Sequence, residues 1–208
     1  MTLPAPQPTD ETLAARAQQG DHQAFDVLIG RHKEFLYRLV RRYLGNTDDA
    51  YDLLQETFIA AWENLQRYDP QRSFIAWART IALNKCRDFS RRRRFRRWVQ
   101  QLVAVEPSSE PMSPETEADL AEGTFDEDDR LRRLDEAIAM LPALYKEPLL
   151  LATIGGLSQQ ATAAALKTTP KAIEMRLRRA RQQLSSLLDP ARESHARSVL
   201  SKKKRFTR

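Results

Sequence analysis

The sequence predicts an all-α protein in which two small helical domains are joined by a flexible acidic linker. Apolar residues recur at spacings of three and four along most of the 208-residue chain, and no run alternates with a period of two. Lys and Arg are absent from Trp98 through Asp129, where Asp, Glu, Ser and Pro are concentrated. Because so polar a segment cannot bury an apolar core, it separates two folded parts.

Four helices are predicted before the linker, with ends marked by glycines, a proline-containing turn and polar capping residues. The first spans about 9–19 and stops at Gly20, after which Asp21 caps a second helix that ends at Gly45. A third helix begins near Asp48 and a fourth after Ser73. The fourth ends near residue 98 in a run rich in arginine. The side chains predicted to face the core of these last two helices are Leu54, Phe58, Ala61, Trp62 and Leu65, and Phe74, Trp77, Ile81 and Phe89.

A helix-turn-helix is predicted after the linker, where order returns at Leu131. A first helix is followed by a second that has Pro142 in its first turn, is bent or split at Pro148, and ends at the pair of glycines 155–156. A short Ala-rich helix at 158–167, a turn at 168–170 and a basic helix at 171–188 then complete the motif.

These breaks divide the chain into four segments. We expect a first helical domain at 1–99, a flexible acidic linker at 100–128, a second helical domain at 129–189 and a basic, disordered tail at 190–208.

The charge distribution favours an anionic partner. The net charge is +6 and the basic residues lie in blocks, which suits a nucleic acid, although a membrane surface would attract them too. No signal peptide or membrane span is expected, and the single cysteine, Cys86, fits a reducing cytoplasm. No metal-ligand spacing, nucleophile motif or Gly-rich phosphate loop is present, so neither a catalytic residue nor a metal or other cofactor is predicted.

The third helix carries an acidic and amide face opposite its apolar stripe. Residues 49–58 read DAYDLLQETF and are followed by Trp62. This wording resembles the second conserved region of extracytoplasmic-function sigma factors, the small class of RNA polymerase sigma subunits. The resemblance implies that this helix docks on the clamp helices of the largest catalytic polymerase subunit. The implied contact residues are Asp48, Asp52, Leu53, Gln55, Glu56 and Ile59.

The fourth helix continues the match, because residues 74–77 (FIAW) and 81–88 (IALNKCRD) are similar to the segment of the family that melts promoters and reads the minus-ten element. Amide and guanidinium groups can bind base edges or phosphates of an opened strand. The loop from Tyr68 to Arg72 is the expected place for a pocket that holds an unstacked base. The implied minus-ten residues are Thr80, Asn84, Arg87, Asp88, Arg91 and Arg92.

The last helices resemble the fourth region of the family, which reads the minus-thirty-five element, through residues 157–160 (LSQQ) and 173–181 (IEMRLRRAR). The resemblance places Arg176 and Arg179 toward the duplex, and Arg178 and Arg181 toward phosphate or the partner helix. Lys167 stands in the turn where the family usually has Gly. The implied minus-thirty-five residues are Lys171, Glu174, Met175, Arg176, Arg178 and Arg179.

The sequence is thus identified as a member of the extracytoplasmic-function sigma factors, with wording similar to the nickel- and cobalt-resistance type. The implied function is a non-enzymatic cytoplasmic adaptor that directs core RNA polymerase to promoters. The implied partners are the clamp helices of the largest polymerase subunit, the flap of the other large subunit, promoter DNA and an anti-sigma factor, a partner that in this family is often anchored in the membrane. A helix-turn-helix regulator without the polymerase role is the alternative, but it leaves residues 52–58 and 74–77 unexplained.

Overall fold

The computed structural model of the protein describes residues 7–103 and 125–189, and all regular structure within these ranges is helical. This confirms the predicted fold class. A single 3₁₀ turn, Leu65–Arg67, follows the third α-helix. The α-helices are α1 (Asp10–Gln18), α2 (His22–Leu44), α3 (Thr47–Glu63), α4 (Phe74–Val103), α5 (Phe125–Met140), α6 (Ala143–Thr153), α7 (Gln159–Ala165) and α8 (Pro170–Leu188).

Helix α2 starts at a capping side chain and ends at a left-handed glycine, as the sequence predicts. The Asp21 carboxylate accepts a hydrogen bond of 3.0 Å from the N–H of Ala24 and so caps α2. Asn46 caps α3 by accepting a 2.9 Å hydrogen bond from the N–H of Asp48. Gly45 ends α2 with φ of +71°, a conformation that other residues adopt only at a cost.

The core side of α3 and α4 is rotated from the predicted stripes. In α4 the fully buried positions include the small residues Ala78, Ala82 and Cys86, whereas Trp77 is only partly buried. Small side chains four residues apart let α4 approach α2 and α3 closely, which large side chains would prevent. In α3 the buried side chains are Ala50, Leu53, Thr57, Phe58 and Ala61.

Both helices that flank the predicted linker extend into it. Helix α4 continues past the expected end near residue 98 to Val103, because residues 98–103 contain neither Gly nor Pro. Helix α5 begins at Phe125, before the expected start at Leu131. The central part of the predicted linker, 104–124, and the predicted basic tail lie outside the described residues.

The C-terminal helices form the predicted helix-turn-helix, with three local differences. Pro142 is the N-cap residue of α6 rather than part of its first turn, and α6 continues through Pro148 to Thr153. Helix α7 ends at Ala165, two residues before the predicted end. Thr169 caps α8, and Pro170 occupies its first position, where a missing N–H breaks no bond.

The two helical parts pack against each other through α2, which contacts both α5 and α6. Their buried apolar side chains form one continuous cluster that contains Leu39 and Tyr43 of α2 as well as Leu141 and Leu150 of the second part. Gly45 permits the approach, because a Cβ atom at this position would lie 2.6 Å from the Cβ of Ala139. No helix in the described ranges has the length and apolar character needed to cross a bilayer.

Candidate nucleic-acid and protein interfaces

One face of α3 is exposed and carries acidic, amide and apolar side chains. Asp48, Asp52, Gln55, Glu56 and Ile59 are all exposed, and Ile59 shows 58% of its surface. Single exposed apolar side chains are normal on a protein surface, so Ile59 by itself identifies no contact. These five residues, which we call the α3 face, were predicted as one group.

Leu53 is a correction to the predicted α3 face. Its side chain is 3% exposed and packs in the core of the first domain. It follows Asp52 in the sequence but points to a different side of the helix, since consecutive helical residues lie about 100° apart. Leu53 therefore supports the α3 face from below and does not belong to the surface itself.

A stacked pair of tyrosines borders the α3 face and was missed by the sequence analysis. The rings of Tyr37 from α2 and Tyr51 from α3 lie 4.4 Å apart between centroids, and Tyr51 is 55% exposed. Tyr51 lies inside the motif at 49–58, which was a usable sequence signal for this residue. Its partner could not be found without the packing of α2 on α3.

The predicted minus-ten residues lie along one exposed side of α4. Hydrogen bonds connect the stripe: Nη1 of Arg87 donates to Oδ1 of Asn84 at 2.9 Å, and Nη2 of Arg91 donates to Oδ1 of Asp88 at 2.9 Å. The hydroxyl of Thr80 donates to the carbonyl of Ala76 within the helix. Arg92, the last predicted member, is exposed beyond Arg91.

Arg87 has a second partner that the sequence did not indicate. Its Nε donates to Oε1 of Glu147 in α6 at 2.6 Å, and its Nη2 donates to Oε2 of the same carboxylate. These hydrogen bonds raise the pKa of Arg87 above its ordinary value. The guanidinium that was predicted to contact DNA is thus held by the second domain.

The loop that was predicted to hold a base pocket is anchored by an aromatic cluster. Tyr68 is buried against Phe74 and Trp77, with ring centroids 5.7 Å and 5.1 Å away, and its hydroxyl donates to the carbonyl of Arg72. Burial raises the pKa of Tyr68 to about 12. The intervening residues 69–71 are exposed. The loop therefore has a fixed base and an accessible tip, and a base pocket there stays a prediction.

The C-terminal half of α4 combines basic and aromatic exposed side chains. Every residue from Arg91 to Trp98 is exposed. Phe95 is 62% and Trp98 54% exposed, and their rings lie 5.9 Å apart. Aromatic faces set among arginines can stack on bases while the arginines bind phosphates. The run of arginines stood out in the sequence, whereas no role was predicted for Phe95 and Trp98.

Both predicted arginine pairs of α8 contain exposed side chains. Arg176 is half-buried, and Arg179 is exposed with its Nη1 3.4 Å from the hydroxyl of Tyr145 in α6. Which of the two pairs faces DNA therefore stays a prediction. Arg178 and Arg181 are exposed together with Lys171 and Glu174. We call these four residues the α8 face; Met175, the remaining predicted reader, is half-buried.

Glu174 is neutralised within the α8 face. Its carboxylate accepts a 2.9 Å hydrogen bond from Nζ of Lys171, three residues earlier. This hydrogen bond lowers the pKa of Glu174, which is therefore ionised but paired. The pairing explains how a carboxylate can stand on a basic helix that is predicted to approach phosphates.

Lys167 adopts the left-handed conformation in the turn before α8. Its φ is +51°, in the region that favours glycine, and it is the single non-glycine with positive φ among the described residues. The family was expected to have Gly at this position. The turn therefore keeps the left-handed geometry although Lys stands in place of Gly, and the backbone at Lys167 is strained as a result.

Comparison with known proteins assigns the chain to a family. Residues 28–96 match the family model for sigma-70 region 2, and residues 131–184 match that for sigma-70 region 4. The RNA polymerase sigma factor CnrH of Cupriavidus metallidurans is 35% identical over 88% of this chain and 96% of its own length. The chain is an extracytoplasmic-function sigma factor.

A second relative and a solved structure of CnrH support this sigma factor assignment. The RNA polymerase sigma factor NccH of Alcaligenes xylosoxydans xylosoxydans is 35% identical over 86% of this chain and 94% of its own. The solved structure of CnrH in complex with the cytosolic domain of CnrY aligns with a TM-score of 0.62 and 33% identity, covering 86% of this chain and 97% of that one. As a sigma factor the protein directs RNA polymerase to promoters, and the alternative of a regulator without the polymerase role is not favoured.

Proposed function

We propose that this sigma factor binds core RNA polymerase through the α3 face and opens promoters through the exposed stripe of α4. The observation that carries the proposal is that two ion pairs beside these surfaces join α3 to α4. Nζ of Lys85 in α4 lies 3.2 Å from Oε2 of Glu56, and Nη1 of Arg93 lies 3.8 Å from Oδ2 of Asp49. A polymerase bound to α3 is thereby adjacent to any strand bound along α4.

In this proposal the stripe on α4 captures the minus-ten strand as it becomes single. Asn84, Arg87 and Arg91 supply amide and guanidinium donors, and the exposed rings of Phe95 and Trp98 supply stacking surfaces further along. Binding only the opened strand lowers the free energy of the open complex without stabilising the duplex. The exposed tip of the loop at 69–71 is the proposed site for an unstacked base.

The minus-thirty-five duplex is proposed to bind the α8 face. Lys171, Glu174 and Arg178 lie on the exposed flank of the first half of α8, and Arg181 follows one turn later. The N-terminal half of a recognition helix is the part that enters the major groove. Arg178 is therefore assigned to base edges and Arg181 to phosphate, which exchanges the roles that the resemblance had given to the two arginine pairs.

The protein is proposed to act in the cytoplasm as an adaptor without catalytic chemistry of its own, and to be controlled by an anti-sigma factor. The support for the partner is the structural likeness to CnrH, which was solved with the cytosolic domain of CnrY. The 35% identity to CnrH and NccH also supports the nickel- and cobalt-resistance type suggested by the sequence. Sequencing the transcripts induced by overexpression, with and without added nickel or cobalt, tests that assignment.

Transcription reconstituted with core polymerase tests the polymerase surface. The double variant Asp52→Lys, Glu56→Lys should lose core binding and promoter-specific transcripts, because it reverses two exposed charges of the α3 face. The matched control is Asp26→Lys, Glu34→Lys, which changes the charge equally at exposed positions of α2. Exposed substitutions alter stability by less than about 0.5 kcal/mol, so both variants should stay folded. Equal core binding by the two double variants would contradict the proposed surface.

A further inference from the structure

Helix α1 holds none of the residues of the proposed polymerase and DNA surfaces, yet its C-terminal end is bonded to the segment that leads into the loop before α4. Nε2 of Gln18 donates to the carbonyl of Leu65 at 2.9 Å and to the carbonyl of Tyr68 at 2.9 Å. In return, Nε2 of Gln66 donates to the carbonyl of Gln18 at 2.7 Å. Three hydrogen bonds therefore join the end of α1 to residues 65–68, which lie 47 to 50 positions further along the chain.

The two carbonyls that Gln18 binds lie where the regular hydrogen bonding of the chain ends. The carbonyl of Leu65 also accepts a bond of 3.0 Å from the N–H of Tyr68, which closes the 3₁₀ turn. Tyr68 itself has extended backbone with ψ of 132°, and among the described residues its carbonyl accepts a hydrogen bond from Gln18 alone. The ring of Tyr68 is held by its burial, whereas the peptide group that follows it is held by Gln18.

Helix α1 can act as a fixed support because both of its ends are tied to α2. At its start, Asp10 accepts a 2.9 Å hydrogen bond from Nη1 of Arg31 and lies 2.5 Å from Nε2 of His32. At its end, Nη2 of Arg16 donates to the Asp21 carboxylate, the cap of α2, at 2.7 Å. Between these ends α1 buries three apolar side chains. The Gln18 amide therefore stays in place when the loop is pulled by a ligand.

The tip of the loop has an internal structure of its own. Oδ1 of Asp69 accepts a 3.0 Å hydrogen bond from the N–H of Gln71, and the Asp69 carbonyl accepts one of 2.9 Å from the N–H of Arg72. The Tyr68 hydroxyl donates to the Arg72 carbonyl at the far side of the turn. A turn closed in this way moves as one unit about the peptide group between Tyr68 and Asp69, which is the group that Gln18 holds.

We propose that Gln18 is a positioning residue for base selection, which fixes the orientation of the tip at 69–71 toward an unstacked base of the minus-ten strand. This inference rests on the proposed base pocket at that tip. A flipped base is read through hydrogen bonds to its edge, and these need one defined geometry. A tip free to turn would accept several bases. Loss of the Gln18 hydrogen bonds thus lowers discrimination at one nucleotide more than it lowers binding of the whole strand, which the arginines of α4 supply.

Selection from a single-stranded DNA library of randomised sequence measures this discrimination. Holoenzyme made with the full chain binds the library, and the bound strands are sequenced. Gln18→Met keeps the length of the side chain and removes its donors. The preference at one nucleotide position should fall about threefold to tenfold, the effect of one or two lost hydrogen bonds, while the preferences at other positions persist. A uniform loss at all positions, or no loss at any, would overturn the positioning role.

Matched variants separate the hydrogen bonds from the packing of the side chain. Gln19→Met makes the same change at an exposed neighbour and should keep the full profile. Gln18→Lys retains donors and should recover part of the lost preference, whereas Gln18→Glu has acceptors only and should resemble Gln18→Met. Equal profiles for Gln18→Lys and Gln18→Glu would overturn the role of the hydrogen bonds. Gln66→Met, which removes the return bond from an exposed side chain, serves if Gln18→Met folds poorly, and it should lower the same preference by a smaller factor.

The double variant Asp69→Ala, Gln71→Ala distinguishes failure of this inference from failure of the proposed base pocket. It removes the polar side chains of the exposed tip and should lower the preference at the same nucleotide position as Gln18→Met. A loss in the double variant without a loss in Gln18→Met would keep the pocket and overturn the positioning role. Unchanged profiles in both would show that the tip reads no base, so the proposed pocket would fail as well. A loss in Gln18→Met alone would assign its effect to another part of the protein and would overturn the inference.

Discussion

Replacing Gly45 by Ala tests how closely the two domains are held together. A Cβ atom at Gly45 would lie 2.6 Å from the Cβ of Ala139. Carbon atoms in contact prefer separations of about 3.5–4.0 Å, so α5 would have to withdraw from α2 by roughly 1 Å. Lys146 bridges Tyr43 and Ala139 across the same gap, and its hydrogen bonds of 3.0 Å and 2.6 Å could not both survive that movement.

Gly20→Ala is the matched control, because it carries the backbone strain without the domain contact. Gly20 has φ of +94° and nothing within 4 Å of its Cβ position, whereas Gly45 has φ of +71° and meets Ala139. Ala in the left-handed region costs about 1–2 kcal/mol at either position. Overpacking at Gly45 adds about 1–3 kcal/mol as long as the domains stay together. Separation of the domains relieves this added strain. The extra loss of stability in Gly45→Ala therefore cannot exceed the free energy that holds the two domains together.

Two measurements on the full chain distinguish these costs. Urea denaturation followed by circular dichroism measures the free energy of unfolding. Both variants should lose a similar amount of it if the domains part, and Gly45→Ala should lose more if they stay together. The efficiency of fluorescence energy transfer between dyes attached at Lys33→Cys on α2 and Ser185→Cys on α8 should fall for Gly45→Ala and stay at the wild-type value for Gly20→Ala. If the two variants agree in both measurements, Ala139 does not approach Gly45 in solution and the packing of α5 on α2 is refuted.

Three further predictions follow from single side chains. Lys167→Gly should raise the free energy of unfolding by about 1 kcal/mol because it removes the strain of φ +51°, whereas Lys167→Ala should leave it nearly unchanged; thermal melting compares the two. Burial lowers the pKa of Lys146 to about 8, and between pH 8 and 9 the unfolded chain therefore holds a proton that the folded chain releases. The free energy of unfolding should therefore rise across that window by up to about 1 kcal/mol in the wild type and should show no such rise in Lys146→Met. Above pH 9 the free energy of unfolding should fall again because burial raises the pKa of Cys86 to about 12. An identical pH slope in wild type and Lys146→Met would exclude the buried ammonium as its source. Arg178→Ala should relax discrimination among minus-thirty-five variants by about tenfold or more in a randomised duplex library bound by the holoenzyme, and Arg179→Ala should change it little; the reverse ranking would restore the orientation expected from the family.

The ends of α2 could be predicted from the sequence because they depend on neighbouring residues. Asp21 caps α2 through an N–H only three residues away, and Gly45 ends it through its own φ. The orientation of a helix depends instead on what packs against it. Leu53 was misplaced for this reason, since the helices that bury it cannot be read from the residues of α3.

The contacts of Glu147 with the first domain lay further still beyond sequence reasoning. Arg87 and Glu147 are 60 positions apart, and Tyr43 and Glu147 are 104 apart. Glu147 stands in an otherwise apolar stretch, which was a usable signal, because a carboxylate beside Pro148 and Leu149 must find a partner when it is buried. The pairing of Glu147 with Arg87 was not predicted because Arg87 had already been assigned to DNA binding.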